Sequence, residues 1–532
     1  MPSSKAERQK FWREGEHFIW LSALGVGLIL FMVLGLLLVV LQNGAGAFWP
    51  SSLQQFSLTS GEQVLGEVTA KELHPHSKEL RYQLKTGNRD LYGLDFRWIE
   101  AKDIASSSSP KNAIALERSE YGNFYGYLVG YQSPLYPTQQ TDPQAKQAIE
   151  AALAKDAAAA KETAAQVQEL ALAMESLSTN IAEVKYRQED PRELEAQLEL
   201  LKARFNALMQ VQEEAQVKLA SHVGVFQDAQ GSTKEIPLAQ ILRRYYPNDM
   251  GVFAKTGHYL AKLWELFFDE PRESNTEGGL FPAIIGTVML ILTMSVFSFP
   301  LGVIAAIYMK EYARPGFLLQ AIRIAVNNLA GVPSIVWGIF GLSFFVYGIG
   351  TGIDGIFFPE RLPTPTFGTG GVLWASLTLA LLTVPVVIVA TEEALSSVPA
   401  DIRHGSLALG ATKFQTLMRV TIPMASPRII TGFILAMSRA AGEVAPLMIT
   451  GVVKLAPSLP LDGTFPFIHL ERKFMHLGFH IYDVGFQSPN VEAAKPMVFV
   501  TTLLLLGIVI LLASSSIYLR NRIRKKYESR AF

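Results

Sequence analysis

The sequence contains no cysteine, which excludes disulfide bonds, thiolate catalysis and cysteine-ligated metal centres. Its 47 basic and 47 acidic residues leave no formal net charge, so the composition gives no reason to expect nucleic acid as a partner. The sequence has no Gly-x-x-x-x-Gly-Lys-Ser/Thr motif, the usual phosphate-binding loop of ATPases. His476 and His480 are four residues apart but lack a third ligand nearby. We therefore predict no metal site, and a solvated loop around these histidines.

Long apolar runs are present instead, and six of them alternate with charged stretches. About twenty residues of apolar helix cross a bilayer, so the pattern predicts a multi-pass membrane protein. The first predicted span covers residues 18–41 and follows a polar N-terminal segment, residues 1–17. A signal peptide is the alternative for this run, but its length and the poor cleavage site that follows favour a retained span. The other predicted spans cover residues 278–309, 325–347, 371–390, 429–451 and 496–519.

The distribution of basic residues predicts the orientation of these spans. Residues 1–17 and residues 520–526 are both rich in lysine and arginine, which favours a cytoplasmic location for both termini. Counting spans then places the loop of residues 392–428 in the cytoplasm. The same count places residues 42–278 outside, in the periplasm of a bacterial cell whose inner membrane holds the spans.

Residues 42–278, the insert, contain no run that is long and apolar enough to span a membrane. Residues 53–135 show β-strand patterns. Residues 143–220 carry heptad-spaced apolar side chains on either side of a helix-capping sequence at Asp190-Pro191. We therefore predict a soluble α+β insert with a helical hairpin, whose apolar seam either closes on itself or binds a partner. The mixed apolar and charged residues 255–267 indicate an amphipathic helix at the membrane surface.

The most specific pattern lies in residues 392–451. Gly410 is followed after nine residues by an aliphatic, any, aliphatic, proline sequence that ends at Pro423. This pattern resembles the cytoplasmic coupling loop of ABC-importer permeases, in which a short helix docks into a groove on the ATPase. The candidate coupling residues are Asp401, Arg403, His404, Gly405, Ser406, Gly410 and Pro423.

Further residues make the resemblance to ABC-importer permeases more specific. The run Arg-Ala-Ala-Gly-Glu in residues 439–443, followed by Ala-Pro-Leu in residues 445–447, and the run Asn-Asn-Leu-Ala-Gly-Val-Pro-Ser in residues 327–334 are similar to the PstA family of phosphate ABC-importer permeases. The resemblance covers residues 278–526. It implies an all-α permease domain of the type I importer fold in residues 279–526, with a cytoplasmic tail in residues 527–532. It says nothing about the insert.

The resemblance also implies function and partners. It implies a permease subunit that is itself no enzyme and imports inorganic phosphate. Its expected partners are a PstC-like second permease, two PstB-like ATPases that bind ATP and magnesium, and a periplasmic PstS-like phosphate-binding protein; the chain itself would hold no cofactor. A permease for sulfate, molybdate or tungstate is the nearest alternative, and a membrane-anchored sensor or scaffold acting through the insert is another.

One departure from the family concerns the coupling loop. The family usually has Glu-Ala-Ala before its glycine, whereas this chain has His404-Gly405-Ser406. Any ion pair made by that glutamate is lost. His404, Arg403 or Asp401 is a candidate replacement.

Arg439 and Glu443 are the strongest chemical signal in the sequence. They lie four residues apart, so they share a helix face and can pair. By rise per residue, Arg439 lies halfway along the predicted fifth span, where a charge costs on the order of 3 kcal/mol. A guanidinium offers forked donors that suit phosphate oxygens. Either Arg439 lines an anion path and Glu443 moderates its attraction, or the pair clamps two helices together.

Ser334 is the third candidate path residue. It follows Gly331 and Pro333, which can break the third span and direct backbone amides at an anion. An ordinary kink or a close helix packing explains these residues equally well. Thr383 and Pro385 in the fourth span allow the same two interpretations.

Overall fold

The computed structural model describes residue 13 and residues 15–74, 76, 78–463 and 465–528. Most of the predicted cytoplasmic termini, residues 1–17 and 527–532, therefore lies outside the described residues. Within the described part, six helices are long and apolar enough to cross a membrane, in agreement with the sequence. These spans are His17–Gly46, Phe281–Tyr312, Ser334–Phe357, Val372–Ser396, Lys413–Ala441 and Val491–Lys525.

The described residues form the following α-helices and β-strands, given in chain order. The α-helices are α1 Glu16–Gly46, α2 Arg89–Tyr92, α3 Pro143–Tyr186, α4 Arg192–Ala220, α5 Val252–Phe268, α6 Phe281–Ile307, α7 Phe317–Leu329, α8 Ser334–Phe340, α9 Thr351–Phe357, α10 Val372–Ser396, α11 Ala400–Ala408, α12 Lys413–Thr416, α13 Ile422–Ala441, α14 Ala445–Thr450, α15 Leu477–Tyr482 and α16 Val491–Glu528. The strands are β1 Leu53–Leu58, β2 Gln63–Leu73, β3 Leu80–Lys85, β4 Phe96–Glu100, β5 Ile104–Ser108, β6 Ile114–Arg118, β7 Phe124–Ser133, β8 Tyr136–Gln140, β9 Val223–Gln227, β10 Thr233–Pro237, β11 Ile241–Tyr245, β12 Pro271–Arg272 and β13 Glu277–Gly278. Several spans continue through π-helical turns, at Tyr308–Tyr312, Gly341–Gly350 and Leu417–Thr421.

The third and fifth spans differ from their predicted bounds. The third begins at Ser334 rather than at residue 325, because the chain breaks before Pro333 and the preceding residues form the separate helix α7. The fifth begins at Lys413 and ends at Ala441, whereas residues 429–451 were predicted. Its polar first half is helical because Thr412 caps it with a capping box. These predictions were wrong because hydropathy alone does not register caps and breaks.

Prolines inside the spans do not break them. The kink or break predicted at Pro300 does not separate two helices, since α6 continues through this residue. Pro385 likewise lies inside α10. The Thr383 hydroxyl donates to carbonyl oxygens of its own helix, at 2.9 and 3.0 Å. Thr383 and Pro385 allowed two interpretations, a break that directs backbone amides at an anion or ordinary helix packing. The second of these describes this part of the fourth span.

Among the described residues of the insert, two larger antiparallel sheets are accompanied by a two-stranded one, β12-β13. The first has the order β4-β3-β2-β1-β5, and the second has the order β10-β9-β7-β6-β11 with β8 paired to β7. Buried aromatic residues fill the second sheet's core, where Phe124 and Phe226 lie 5.8 Å apart between ring centroids. Strand β6 is buried at all five of its positions, so both of its faces are covered.

Helices α3 and α4 form an antiparallel hairpin that leaves the second sheet after β8 and returns at β9. Its tip is joined by an ion pair between Lys185 and Glu195 at 2.7 Å. Its base is fixed by the fully buried Ile149, by His222 against Asp156 at 2.9 Å and by Arg244 donating to Glu150 at 2.6 Å. Both ends of the hairpin therefore meet at strand β7.

The insert contacts the outer ends of the spans through polar side chains. Gln83 donates to Glu492 at 3.1 Å, and Asn490 donates to Asp95 at 2.9 Å. Glu492 lies in the first turn of the sixth span. The insert is thus attached to the bundle by contacts far apart in sequence as well as by its two chain connections.

The prediction of a solvated loop around His476 and His480 was wrong. Both side chains are buried, with 1% and 2% of their surface exposed. His480 contacts the carbonyl of Asn275 at 3.1 Å and the hydroxyl of Thr501 at 3.2 Å. Burial lowers the pKa of both imidazoles to about 4. The loop between the fifth and sixth spans is therefore packed onto the bundle.

Shortening the hairpin should leave the sheets intact. We expect that replacing residues 165–214 with a four-glycine turn preserves β7 and β9, because the basal contacts of Ile149, Glu150 and Asp156 remain. The measurement is amide hydrogen exchange of these strands in the purified full chain.

Removal of residues 143–220 is the matched comparison, since it deletes the basal contacts as well. We expect faster exchange in β7 and β9 only in this second variant. Equal acceleration in both variants would contradict the assignment of the base as the stabilising part.

Candidate substrate path and coupling segment

The fifth span stops inside the helix bundle rather than at its outer edge. Helix α13 ends at Ala441, the chain turns through Gly442, and the short helix α14 resumes at Ala445. The turn is closed by backbone bonds from Gly442 to Arg439 and from Glu443 to Ala440, each 3.2 Å. Arg439 and Glu443 thus flank a break in the span.

Packing fixes the depth of this break. Ala440, beside Arg439, packs with Leu290 of the second span and Leu379 of the fourth. Leu290 is nine residues beyond Phe281, where helix α6 begins, so it lies about 14 Å into that span. Arg439 therefore lies inside the bundle, at a level about 14 Å along the second span from Phe281, although it is at the end of its own helix rather than halfway along it as predicted.

A second break lies beside the first. Helices α8 and α14 touch where a Cβ atom on Gly338 would lie 2.8 Å from Cα of Pro446. Both helices run toward the start of the fourth span, since Phe345 stacks on Trp374 and Thr450 accepts a bond from Gly371. Ser334 comes four residues before Gly338 in its helix, and Glu443 comes three residues before Pro446. The two breaks therefore lie at a similar level in the bundle, and Ser334 and Glu443 lie there with them.

The Arg439 guanidinium is only loosely held. Its Nε lies 3.7 Å from Oε1 of Glu443, an ion pair too long to be a hydrogen bond. The arginine side chain is 45% exposed and the glutamate side chain 20%. Within the part of the chain that the structure describes, no other carboxylate pairs with Arg439. The guanidinium is therefore only weakly paired with this carboxylate and is accessible from outside the chain.

An exposed stripe runs along α13 to the arginine, and the sequence analysis did not identify it. Its members occur at intervals of four, three, four and four residues, which place them on one helix face. They are Met424, Arg428, Thr431, Leu435 and Arg439. The signal that could have found the stripe is this helical spacing of two arginines and a threonine in an otherwise apolar span.

The candidate coupling residues lie on a short helix and the turn after it. Asp401, His404 and Gly405 are exposed on α11, and Ser406 contacts Thr416 between hydroxyl oxygens at 2.9 Å. Gly410 has φ +83°, which reverses the chain before Thr412 caps the fifth span. Pro423 lies inside the continuous fifth span instead of at its entry, directly after a π-helical turn. That turn accommodates the missing proline N–H.

Arg403 is held within the chain. It forms an ion pair with Glu311 at 2.6 Å, and the two side chains are 20% and 15% exposed. It also donates to the carbonyl of Leu395, and Lys413 donates to the carbonyl of Glu311. These bonds tie the segment to the ends of the second and fourth spans, so Arg403 is not free to replace the missing glutamate.

The exposed surface of this segment includes four large apolar side chains. They are those of Ile402, Leu407, Leu409 and Phe414, and Leu409 is 91% exposed. Residues 400–416 thus present an apolar face bordered by Asp401 and His404. Such a face on the single chain is suited to contact with another protein.

Comparison with known proteins identifies the family. Residues 298–525 match the family described as binding-protein-dependent transport system inner membrane component. A probable ABC transporter permease of Bacillus subtilis is 33% identical over 41% of this chain and 70% of its own length. The chain belongs to this family of transport permeases. The match begins at residue 298, so the insert lies outside it.

Phosphate permeases are among the relatives. A probable PstA of Methanocaldococcus jannaschii is 32% identical over 41% of this chain and 67% of its own length. PstA of Yersinia pestis is 37% identical over 34% of this chain, which spans just over half (56%) of that relative. The chain is therefore a PstA-like ABC permease and a multi-pass membrane protein.

Solved importers show weaker likeness. The MetNI methionine transporter matches with 17% identity and a TM-score of 0.34, over 46% of this chain and 97% of that chain. The alginate transporter matches with 14% identity and a TM-score of 0.37, over 49% of this chain and 83% of that one.

Gly410 and Gly405 should respond oppositely to alanine. An L residue at φ +83° costs about 1 kcal/mol, and no atom would contact the new Cβ, so Gly410→Ala should destabilise the turn through its backbone alone. Gly405 is helical and its Cβ position is equally open, so Gly405→Ala should stabilise α11 by roughly 0.5–1 kcal/mol. The rate of amide hydrogen exchange in residues 400–408 measures the effect of each substitution. Slower exchange in Gly410→Ala than in the wild type would show that the turn does not require glycine.

Proposed function

We propose that this chain is the permease subunit of an ATP-driven importer of inorganic phosphate. The observation that carries the proposal is the loosely held Arg439, exposed at the end of a stripe on the fifth span, beside a break in that span. The names of its relatives support phosphate as the substrate, since two of them are phosphate permeases. The assembly would contain a PstC-like permease, two PstB-like ATPases holding ATP and magnesium, and a PstS-like binding protein.

The stripe of α13 supports an anion path between two permease subunits. An arginine facing lipid at this depth costs on the order of 3 kcal/mol or more, so lipid is a poor neighbour for Arg439. An internal clamp would bury the guanidinium and satisfy its donors, whereas 45% of the side chain is exposed and its one ion pair is 3.7 Å long. A water-filled path closed on its far side by the second permease satisfies both conditions.

Glu443 would set the strength of anion binding. A bare arginine in a low-dielectric path attracts phosphate strongly, and a site that binds too tightly does not release its ion. The carboxylate of Glu443 near the guanidinium reduces that attraction. Ser334, at similar depth on the neighbouring break, adds a hydroxyl donor that carries no charge.

ATP binding would act through residues 392–428. The apolar face of Ile402, Leu409 and Phe414 is suited to an ATPase groove without the glutamate that the family usually supplies. Arg403 and Lys413 would pass the movement to Glu311, at the cytoplasmic end of the second span. Closure of the ATPases would thus alternate the path between the two sides of the membrane.

The orientation of the chain in the membrane follows from its coupling to an ATPase. The coupling segment must lie in the cytoplasm, where ATP is, which places both termini there and the insert in the periplasm. The balance of basic residues in the terminal segments favours the same orientation.

Replacement of Arg439 tests the path. We expect Arg439→Ala to assemble with its partners but to lose phosphate uptake by about tenfold or more, which is what loss of one charged contact of 1.5–3 kcal/mol implies. Arg439→Lys should retain part of the uptake because it keeps the charge without the forked donors. Uptake of radiolabelled phosphate, and of sulfate and molybdate in parallel, by proteoliposomes is the measurement.

The control for loss of a positive charge is Arg192→Ala, whose side chain is 89% exposed in the hairpin. It should import at the wild-type rate. If Arg439→Ala also assembles and imports at that rate, the path does not pass this side chain.

Breaking the ion pair between Arg403 and Glu311 should uncouple ATP hydrolysis from transport. In Arg403→Gln a half-buried carboxylate loses its partner, so we expect fewer phosphate ions imported per ATP while the permease still binds its ATPases. The charge-reversed double variant, Arg403→Glu with Glu311→Arg, should recover part of the ratio. The ratio of phosphate uptake to ATP hydrolysis is the quantity to measure.

Arg89→Gln provides the comparison. It removes a similar ion pair, with Glu273 at 2.8 Å, that lies in the insert and outside residues 392–428. Its coupling ratio should remain close to that of the wild type. Equal loss in Arg89→Gln and Arg403→Gln would mean that general destabilisation, rather than a specific connection, lowers coupling.

A further inference from the structure

Helix α5, Val252–Phe268, has three distinct faces, and the first contacts the β-sheet part of the insert. His258, Lys262 and Glu265 lie on this face. Lys262 pairs with Glu117 of β6 at 3.0 Å, and Glu265 pairs with Lys262, Arg243 and Arg272. Glu117 and Glu265 are buried, with 8% and 3% of their surface exposed. The helix is therefore fixed to the sheets by a buried ion cluster.

The pKa of Glu117 reflects this contact between the helix and the sheets. Burial acts to raise the pKa of Glu117, but the hydrogen bond from His258 and the charge of Lys262 outweigh it, and the pKa falls to about 2. The carboxylate is therefore ionised at neutral pH and paired. The contact between the helix and the sheets is a charged one.

The second face packs on the ends of the spans. Leu266 belongs to one apolar cluster with Leu280, before the second span, and Met497 of the sixth. Leu280 donates its backbone N–H to the carbonyl of Leu266 at 2.8 Å. Tyr259 contacts Trp49, just beyond the first span, with ring centroids 6.2 Å apart. The helix thus lies at the level where three spans end on the side of the insert.

The third face is apolar, aromatic and uncovered. Its members are Phe253, Leu260, Trp264, Phe267 and Phe268, with exposed fractions of 95%, 59%, 66%, 42% and 54%. At about 100° per residue, Phe253, Leu260 and Trp264 lie roughly 200–240° around the helix from His258. This face therefore points away from the sheets, beside the ends of the spans.

We propose that this aromatic face of α5 lies in the interfacial layer of the lipid leaflet on the insert's side. Three observations select lipid as the occupant. The helix that bears the face packs on the ends of three spans, the face is opposite the charged face, and it combines tryptophan with phenylalanine and leucine, as membrane-interface helices do. The β-sheet part of the insert is thus carried on a lipid-anchored helix through the Glu117 and Glu265 cluster. This inference does not depend on which anion is transported.

The absence of cysteine from this chain makes the test direct, because a single introduced cysteine can be labelled at one position before the chain is combined with its partner subunits. A nitroxide spin label on Leu260→Cys in the full chain, reconstituted in phosphatidylcholine vesicles with its partner subunits, reports access to oxygen and to a soluble nickel chelate. We expect the label at residue 260 to meet oxygen more often than the chelate. A label on Leu172→Cys of the hairpin, 52% exposed, should show the reverse.

Two results would overturn the proposal. Chelate access at residue 260 equal to that at residue 172 would place the face in water. A label reached by neither reagent would place it under a partner subunit. Phe253→Cys, at the other end of the face, is the second variant if Leu260→Cys fails to fold, and it carries the same expected and contrary outcomes.

Discussion

The arrangement of this permease depends on the rule that a backbone inside a membrane must satisfy its polar groups within the protein or along a hydrated cavity. Two interruptions lie beside each other inside the bundle, at residues 330–333 and 442–444, and helices α8 and α14 follow them. These two helices contact each other at Gly338 and Pro446. Arg439 lies at the end of the helix that precedes the second interruption. An interrupted backbone and an exposed guanidinium at the same depth are both compatible with water, and neither is compatible with lipid.

The same rule explains how a large insert is tolerated between the first two spans. It must attach where backbone can leave the membrane, which is at the outer ends of helices. Gln83 and Asn490 make hydrogen bonds there, and the ion cluster of Glu117 and Glu265 joins the sheets to α5. The bundle core around Leu290 and Leu379 contains no described residue of the insert. The family match, which begins at residue 298, accordingly leaves the insert out.

The sequence predicted what depends on composition and local pattern. Six spans and the hairpin follow from apolar runs and heptads, because burial in lipid or in a helix seam requires them. The bounds of the fifth span could not be predicted in this way. The capping box of Thr412 and the break at Gly442 determine them, and hydropathy detects neither feature. Arg403 was predicted to face an ATPase. Its partner Glu311 is 92 residues away in sequence, and only the tertiary structure brings the two together.

The corrected bounds of the fifth span strengthen the connection between the two candidate sites. Its 29 residues begin next to the coupling turn and end two residues beyond Arg439. A continuous helix of this length is about 43 Å long and moves largely as one body. Lys413 is also bonded to Glu311, so the start of this helix is tied to the end of the second span. On the proposed function, a shift of the coupling segment would be carried along this helix to Arg439, and the arginine would then both attract the anion and respond to the state of the ATPases.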